Sequence, residues 1–342
     1  MAQSLTARWG RPPRPATIIA EATCRICGST GEHESFTGRE MMFGTRESFA
    51  YFKCASCGCL QISEIPGDLA RHYPGGYYSF RVALPQTPPI SATKRTLKAW
   101  RLDAALGRGN IAGRLMIALT GRPEIPKDIE DLGLHSADRI LDVGCGNGRF
   151  LALLRHAGFQ NLTGIDPFMP EDLASLDGIA LHRSDVADFE GEFDAIFIQH
   201  TLEHMPDQLG TMRHLRRLEA PTGKVIVRIP VTGSAAEKRY GTDWVQWDAP
   251  RHLFIHSKRS MQRLCADAGL RIAQVIHDSS EFCLLGSEQY RRGVPLEAEG
   301  SWVLNREANI FGREEIALCS RIAARMNRLG RGDQATFILE RV

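Results

Sequence analysis

The chain has 342 residues, of which 42 are basic and 40 acidic, so its formal net charge is only +2. This balance gives the whole protein no electrostatic attraction to nucleic acid or to a membrane surface. With 43% hydrophobic residues, the chain can bury at least one full core. The sequence contains no apolar run of the roughly 20 residues that span a membrane, and its N-terminus lacks a secretory apolar segment, so we expect a cytoplasmic protein.

The N-terminal part combines a proline- and arginine-rich segment, residues 1–20, with a cysteine-rich segment, residues 21–65. The first composition is typical of a flexible tail. The second segment contains two Cys-x-x-Cys-Gly motifs, formed by Cys24, Cys27, Cys54 and Cys57. Each motif can offer two thiolates to one tetrahedral Zn²⁺, and the glycine that follows frees backbone amides to turn toward the sulfurs. We therefore predict a small zinc-ribbon-like module with a structural Zn²⁺; the alternative is reduced cysteines in a small core.

Residues 66–125 are predicted to form a connector that contains a basic helix. The turn-rich sequences YPGGYYSF at 73–80 and LPQTPP at 84–89 precede a helical pattern from Ser91 to Arg122. The charged residues of this pattern are seven bases and one acid: Lys94, Arg95, Lys98, Arg101, Arg108, Arg114, Arg122 and Asp103. Two interpretations stay open here: a solvated helix face that joins two domains, which we favour, and a surface that faces an anionic ligand.

From residue 139 the sequence alternates between short apolar runs and helical patterns. The apolar runs are RILDV, NLTGID, IALHR, FDAIFIQ and GKVIVRIPV, and one of the intervening helical patterns lies near 170–176. This alternation predicts an α/β fold, a Rossmann-like parallel sheet with helices on both faces. The terminal QATFILERV is interpreted as a late strand that closes the sheet edge. We assign this domain to residues 126–342, with a substrate cover at about 233–256 and 278–333.

The loop after the first strand, within ILDVGCGNGRF, contains three glycines: Gly144, Gly146 and Gly148. They let a ligand approach the backbone closely, but the third comes one residue earlier than in the GxGxxG loop that binds dinucleotides. The acids at the ends of three successive strands are Asp142, Asp166 and Asp185. These acids would repel a pyrophosphate, but they suit a sulfonium cation, an amino group, ribose hydroxyls and an adenine amine. S-adenosylmethionine contains all of these groups, and Gln199 and His200 are expected to line the same crevice.

These segments, in this order, resemble the motifs of class I S-adenosylmethionine-dependent methyltransferases. ILDVGCGNGRFL resembles their first motif, LTGIDPF their acidic loop, SDVADF their adenine loop and FIQHTLEHMPD the motif after strand four. The resemblance implies that Gly144 and Gly146 run beneath the methionine part of the cofactor. It also implies that Asp142 acts through the loop or on the ammonium group.

The same resemblance implies that Asp166 holds the ribose hydroxyls and that Asp185 and Val186 flank adenine. A cysteine-rich module in front of such a domain is similar in arrangement to sugar C-methyltransferases and to methyltransferases of surface-polysaccharide pathways. Ribosomal-RNA guanine methyltransferases also carry a cysteine-hook zinc module before a class I domain. The resemblance alone therefore does not select a substrate.

Candidate catalytic residues follow strands four and five of the predicted sheet. His204 lies one turn after strand four and His252 lies after strand five, and either histidine could take the proton of an acceptor hydroxyl. Nearby carboxylates, Glu203 and Asp248, could orient the histidines or bind hydroxyls. A metal site in HTLEH is not expected, because His200 and His204 fall in a predicted loop and the sequence indicates no third ligand.

We therefore predict an enzyme that transfers a methyl group from S-adenosylmethionine to a small hydroxylated acceptor, most simply a sugar or glycan-related molecule. The alternative is an RNA methyltransferase whose zinc module and basic helix bind the phosphate backbone. A second alternative is a non-catalytic scaffold that binds zinc and the cofactor. The near-neutral charge favours a small acceptor over RNA, and the intact loops around Gly144 and Asp166 count against a scaffold. The oligomeric state is left open.

Overall fold

The computed structural model describes residues 18–73, 91–170, 178–305 and 310–342. The expected tail lies outside these ranges up to residue 17, and residues 18–20 already belong to the first strand. The rest of the turn-rich segments after Tyr73, and the helix expected near 170–176 apart from its first residue, also lie outside the described residues. No helix within the described ranges is both long enough and apolar enough to cross a membrane.

The N-terminal residues form an antiparallel sheet that a distant strand completes. Its first four strands are β1 (Ile18–Thr23), β2 (Thr30–Arg39), β3 (Ser48–Lys53) and β4 (Leu60–Ile62). The fifth, β10 (Phe254–Ile255), pairs antiparallel with β4, so that Phe254 lies opposite Gln61 and Ile255 opposite Leu60. The cysteine-rich segment is therefore joined by main-chain hydrogen bonds to a part of the chain that follows strand β9 (Glu219–Pro230) of the second sheet.

The connector contains the expected basic helix as a helical hairpin. The helices are α1 (Ala92–Ala105), α2 (Ile111–Thr120) and the short α3 (Lys127–Glu130). Several basic side chains donate to backbone carbonyls: Lys98 Nζ to His156 at 3.3 Å, and Arg101 Nε to Gly121 at 2.8 Å. These contacts favour a structural role for this part of the basic pattern, the first of the two interpretations.

The second sheet has seven strands in the order β11-β12-β9-β8-β5-β6-β7. The parallel strands are β5 (Arg139–Val143), β6 (Asn161–Ile165), β7 (Ile179–His182), β8 (Phe193–Gln199) and β9 (Glu219–Pro230). The remaining strands are β11 (Leu270–His277) and β12 (Gln334–Arg341). The helices are α4 (Arg149–Ala157), α5 (Gln208–Leu218), α6 (Ala235–Tyr240), α7 (Lys258–Asp267), α8 (Phe282–Arg291) and α9 (Arg313–Arg328). The chain order reverses between β5 and β8, and in open α/β sheets such a point is where ligands bind.

The position of the last strand differs from the expectation. β12 lies between β9 and β11 and is antiparallel to both, so β11 and not β12 forms the edge of the sheet. Residues 334–339 of β12 are all buried, as a strand with neighbours on both sides requires. The alternation of apolar residues indicates a strand, but strand order depends on pairing partners that the local sequence does not specify.

Side chains of the central strands alternate between two hydrophobic clusters. Leu141 and Ile196 belong to the cluster that also contains the buried cysteines and residues of α5 and α7. Ile140 and Phe197 belong to the cluster on the other face, with residues of α1 and α4. Successive side chains of a strand point to opposite faces, so continuous apolar strands need helices on both sides. This confirms the predicted Rossmann-like α/β architecture.

Candidate functional site

The glycine loop after β5 is shaped by backbone conformation and by close packing. Gly144 has φ of 74° and Gly146 has φ of 54°, backbone angles that residues with a side chain rarely adopt. A Cβ atom on Gly144 would lie 2.4 Å from the Thr201 side chain, in the turn after β8. The loop after β5 therefore packs directly against the turn that follows the neighbouring strand.

Asp166 anchors this loop from the end of β6. Its Oδ2 accepts a hydrogen bond from the Gly146 N–H at 3.0 Å, and its Oδ1 accepts one from the Phe168 N–H at 2.9 Å. A carboxylate can accept about four hydrogen bonds, so each oxygen keeps a lone pair after these contacts. The carboxylate is thus held in place, and each of its oxygens can still accept a hydrogen bond from a ribose hydroxyl.

Asp142 lies beneath the same loop and is 4% exposed. Burial, together with the negative charge of Asp166, raises the pKa of Asp142 to about 8. Burial also raises the pKa of Asp166, although the N–H groups of Phe168 and Gly146 oppose this change. This edge of the sheet therefore holds two buried acids that a cationic ligand would stabilise in their ionised forms.

The other residues expected at the cofactor lie at the same sheet edge. Asp185 is exposed and its Oδ1 accepts a hydrogen bond from the Ala187 N–H at 2.9 Å, whereas Val186 is buried. Gln199 ends β8 and is partly buried. His200 follows with φ of 51°, a strained conformation for a residue with a side chain.

The two candidate catalytic histidines are brought together by the tertiary structure. The rings of His204 and His252 have centroids 4.8 Å apart. His252 Nε2 lies 3.9 Å from Oε1 of the fully buried Glu203. Burial, together with the charge of His252, lowers the pKa of His204 to about 4. Glu203, His204 and His252 each present a ligand atom within 4.8 Å of the others. The cluster therefore joins Glu203 and His252 to His204, and it does not include His200, which the sequence analysis had considered together with His204.

The N-terminal sheet positions the segment that carries His252. Tyr51 Oη donates to the His252 carbonyl at 3.0 Å. The Leu253 carbonyl accepts from the Ile62 N–H at 3.0 Å, and the Leu253 N–H donates to the Glu203 carbonyl at 2.8 Å. Leu253 therefore connects the cysteine-rich module to the turn that contains Glu203 and His204.

A buried ion-pair network that the sequence analysis missed supports this segment. Arg251 is fully buried; its guanidinium donates to Glu40 Oε1 at 3.0 Å, to Asp248 Oδ1 at 2.6 Å and to the His72 carbonyl at 3.2 Å. Burial raises the pKa of Asp248, but the charge and hydrogen bond of Arg251, together with the nearby His252 and His204, outweigh burial and lower this pKa to about 2. The sequence did not indicate the pairing of Glu40 with Arg251, because this pairing depends on the contact between the two sheets.

Two tryptophans in the segment after β9, Trp244 and Trp247, lie in the core. Trp244 is fully buried and its Nε1 donates to Asp333 Oδ2 at 2.9 Å. Trp247 is 3% exposed, donates to the Gly241 carbonyl at 2.7 Å and packs against Tyr51. Their indole rings join the expected cover to the protein and offer no exposed stacking surface.

The four cysteines of the two Cys-x-x-Cys-Gly motifs form a compact cluster. We call these motifs the first cysteine hook (24–28) and the second cysteine hook (54–58). Cys24 and Cys57 have Sγ atoms 3.6 Å apart, as do Cys27 and Cys54. Sulfurs bound tetrahedrally to Zn²⁺ at about 2.3 Å are separated by about 3.8 Å, so the spacing fits this ion. Gly28 and Gly58 take positive φ values of 71° and 76°.

Polar groups around the cluster stabilise negatively charged sulfur. Gln61 Nε2 donates to Cys24 Sγ at 3.1 Å, and the Cys57 N–H donates to Cys54 Sγ at 3.4 Å. A hydrogen bond with the Cys57 thiol lowers the pKa of Cys24 to about 4. The cluster therefore has both the donor atoms and the surrounding hydrogen-bond donors of a thiolate metal site.

Comparison with known proteins identifies the central part of the chain. Residues 117–275, just under half of the chain, match the family model described as a methyltransferase domain. This region is a methyltransferase domain. The match spans β5 to β11 and includes the glycine loop, Asp166 and the histidine pair.

Individual relatives match only part of this chain. The ubiquinone biosynthesis O-methyltransferase of Pseudomonas aeruginosa (strain UCBPP-PA14) is 31% identical over 100 residues, which are 26% of this chain and 43% of the relative. A trans-aconitate 2-methyltransferase of Escherichia fergusonii is 29% identical over 103 residues, 28% of this chain and 41% of the relative. The chain thus spans less than half the length of these two relatives. A solved S-adenosylmethionine-dependent methyltransferase from Archaeoglobus fulgidus aligns at 17% identity and a TM-score of 0.38, covering 60% of this chain and 86% of that one.

The raised pKa of Asp142 makes a prediction about the ligand-free methyltransferase domain. An unfolded aspartate has a pKa of about 3.9, so folding takes up a proton between that value and about 8. Stability from protonated Asp142 is fully present below pH about 4 and is lost as pH rises through about 8. As the pH rises from 5 to 8, the free energy of unfolding of the wild type should therefore fall relative to that of Asp142→Asn, by at most about 1.4 kcal/mol per pH unit.

Chemical denaturation of both proteins across this pH range measures the difference. Asp188→Asn, at an exposed position of the same sheet edge, is the matched control and should show no such trend. A stability difference between Asp142→Asn and the wild type that stays constant with pH would contradict the prediction.

Proposed function

We propose that the protein transfers a methyl group from S-adenosylmethionine to a small hydroxylated acceptor, most simply a sugar or glycan-related molecule. The observation that carries this proposal is the contact between Gly144 and Thr201. It joins the loop expected to bind the cofactor to the turn that leads to His204. The cofactor loop and a pair of proton-accepting side chains thus meet at the point where the strand order reverses.

The residues at this edge fit the cofactor. The missing side chains at Gly144 and Gly146 leave a backbone path that a ligand can approach closely. Asp166 would hold two ribose hydroxyls with its remaining lone pairs, and Asp142 would stabilise the positive end of the cofactor through the loop. Asp185 and Val186 would flank the adenine ring. When bound, S-adenosylmethionine supplies a methyl carbon activated by its sulfonium.

The histidine pair is suited to an acceptor hydroxyl. His204 Nδ1 donates to the Arg251 carbonyl at 2.9 Å and His252 Nδ1 donates to the Gln246 carbonyl at 2.8 Å, which leaves a lone pair on each Nε2. One of these nitrogens would take the hydroxyl proton as the acceptor oxygen bonds to the methyl carbon. The electron pair of the broken carbon–sulfur bond stays on sulfur. Alignment of the two reactants supplies much of the rate in such a displacement.

A small acceptor is supported by the polarity of the site and by the relatives. The carboxylate of Glu203 and the imidazoles of His204 and His252 offer several hydrogen-bonding groups within a small, largely buried volume. The names of the two relatives refer to ubiquinone biosynthesis and to trans-aconitate. The basic side chains of α1 that would be needed for an RNA surface include Lys98 and Arg101, which donate to backbone carbonyls instead.

For the four-cysteine cluster we propose a structural Zn²⁺ that holds the second cysteine hook against the methyltransferase domain. Ser257, at the start of α7, donates through its hydroxyl to the Cys57 carbonyl, and Thr232 donates to the Gly58 carbonyl at 3.0 Å. Arg259 donates to the Ser56 carbonyl at 2.8 Å. The hook thus receives three hydrogen bonds from the domain that carries the candidate active site.

The cofactor assignment predicts the effect of Asp166→Ala. This variant should weaken S-adenosylmethionine binding by roughly 1 to 3 kcal/mol, because it removes charge-assisted hydrogen bonds to the ribose and the anchor of the Gly146 N–H. Isothermal titration calorimetry with S-adenosylmethionine and its demethylated product gives the affinities. Asp188→Ala should bind as the wild type does. Unchanged affinity in Asp166→Ala, or binding of NAD in place of both ligands, would refute the assignment.

The metal assignment predicts one tightly bound zinc per chain. Cys54→Ser should lose this zinc and lower the thermal midpoint of the whole protein, because the second hook contacts Ser257 and Thr232. Elemental analysis and thermal denaturation measure the two effects. The control is Cys59→Ala, at a buried cysteine outside the two hooks, which should keep its zinc. Wild-type protein that is folded but free of metal would contradict the assignment.

The acceptor is tested with labelled S-adenosylmethionine and a panel of nucleotide sugars, glycolipid extract and RNA. On the acceptor found, His252→Ala should reduce turnover about 100-fold or more while cofactor affinity changes little, because His252 lies at the hydroxyl and not at the cofactor. His156→Ala, at an exposed position on α4, is the control.

Joint reversal of Lys94, Arg95, Lys98 and Arg101 to glutamate separates a small acceptor from RNA. A small acceptor predicts a smaller effect than that of His252→Ala, whereas RNA predicts loss of binding and a steep dependence on salt. The opposite ranking of the two variants would therefore favour RNA as the substrate.

A further inference from the structure

Glu203 is a buried carboxylate that accepts no hydrogen bond of suitable geometry from the described residues. It is 0% exposed, and neither Oε1 nor Oε2 has a hydrogen-bond partner within the described ranges. His200 Nδ1 lies 3.5 Å and His252 Nε2 3.9 Å from Oε1, and neither contact is a hydrogen bond of suitable geometry. A buried carboxylate that accepts no hydrogen bond is costly, so its retention at this position points to a ligand.

The two histidines beside Glu203 have the hydrogen bonding of metal ligands. Each donates its Nδ1–H to a backbone carbonyl, His204 to Arg251 and His252 to Gln246. Such a bond fixes the ring and the tautomer, and it directs the unprotonated Nε2 away from the donor side. His256 provides the contrast: it is equally buried, but both of its ring nitrogens are hydrogen-bonded, to Ser260 at 3.0 Å and to Gln208 at 2.8 Å.

The charges around the site favour a cation. Among the described side chains of this cluster, the guanidinium of Arg251 forms ion pairs with the carboxylates of Glu40 and Asp248, and Glu203 adds a third carboxylate nearby. Glu40 and Asp248 accept hydrogen bonds from Arg251, so this guanidinium is already shared between two carboxylates. The cluster therefore keeps an excess of negative charge next to two imidazole nitrogens.

We propose that Glu203, His204 and His252 form a binding site for one divalent first-row transition cation, separate from the four-cysteine cluster. Two imidazole nitrogens and one carboxylate form the ligand set that binds Mn²⁺, Fe²⁺ or Zn²⁺ and leaves coordination positions open. The ligand atoms lie within 4.8 Å of one another, whereas neighbouring ligands bound to one cation at about 2.1 Å lie about 3 to 3.5 Å apart, so the site would close on the cation by rotation of these side chains. His204 is half-buried, so the cation and an acceptor can reach the site.

The role of this cation rests on the proposed function. It would bind oxygen atoms of the acceptor next to the cofactor loop and favour loss of the hydroxyl proton, because a bound cation stabilises the resulting negative charge. With the cation bound, both Nε2 atoms would be ligands, so the proton would leave to solvent instead of to an imidazole. An acceptor with two neighbouring oxygen atoms would occupy two open positions. The proposed site thus adds a requirement on the acceptor: it must present adjacent hydroxyl, carbonyl or carboxylate groups.

Mn²⁺ is the probe that separates the two metal sites, because four thiolates bind this hard cation poorly. Electron paramagnetic resonance titration of the zinc-loaded full-length protein, without cofactor or acceptor, should show one bound Mn²⁺ per chain. Pulsed measurements should detect nitrogen couplings from two imidazoles. Glu203→Gln and His204→Gln should each weaken Mn²⁺ binding about 10-fold or more, whereas His156→Gln should bind as the wild type does.

Wild-type protein alone suffices to overturn the proposal, even if a variant fails to fold. Absence of bound Mn²⁺ at millimolar concentration, together with absence of a second zinc per chain in a Zn²⁺ titration, would refute the site. His204→Gln should reduce the couplings to those of one imidazole, and couplings from two imidazoles that persist in this variant would place the ion elsewhere and also refute the site. Mn²⁺ binding without methyl transfer to any acceptor supports the site while the proposed function fails. Methyl transfer that proceeds in protein shown to bind no such cation supports the function and refutes the site.

Discussion

The structure depends on main-chain hydrogen bonds that pass through Leu253. This residue accepts from Ile62 of the N-terminal sheet and donates to the Glu203 carbonyl in the methyltransferase domain. The next two residues extend the connection as strand β10, which completes the N-terminal sheet. Because backbone groups in a core must find partners, the cysteine-rich module cannot move away without leaving the segment around His252 unpaired. The cysteine-rich module and the candidate active site are therefore held together by main-chain hydrogen bonds.

This arrangement gives the proposed zinc a function beyond the stability of a small module. The second cysteine hook receives hydrogen bonds from Ser257 and Thr232, on either side of the segment that contains Arg251 and His252. A metal that fixes the hook would fix this segment against the end of β9. The imidazole of His252 then approaches Glu203 without a flexible loop, which favours a preorganised site.

The buried charged residues fall into two groups, one that holds the structure together and one that is available to a ligand. Arg251 donates hydrogen bonds to Glu40 and Asp248. Such a buried ion-pair network adds little net stability, so we infer that it serves to fix how the two sheets contact each other. Glu203 receives no such partner within the described residues. The contrast between partnered and unpartnered carboxylates is the basis for assigning one group to structure and the other to a ligand.

Local sequence determined the strands β5 to β9, the glycine loop with Asp166, and the two cysteine hooks, because each depends on neighbours within a few residues or on a fixed spacing. The strand order did not follow from these patterns: β12 inserts between β9 and β11, since pairing depends on long-range contacts. The sequence also placed His204 and His252 near one crevice, but it indicated no third metal ligand beside HTLEH. Only the tertiary structure brings His252 to Glu203 and buries Arg251 with Glu40, because these contacts form where the two sheets meet.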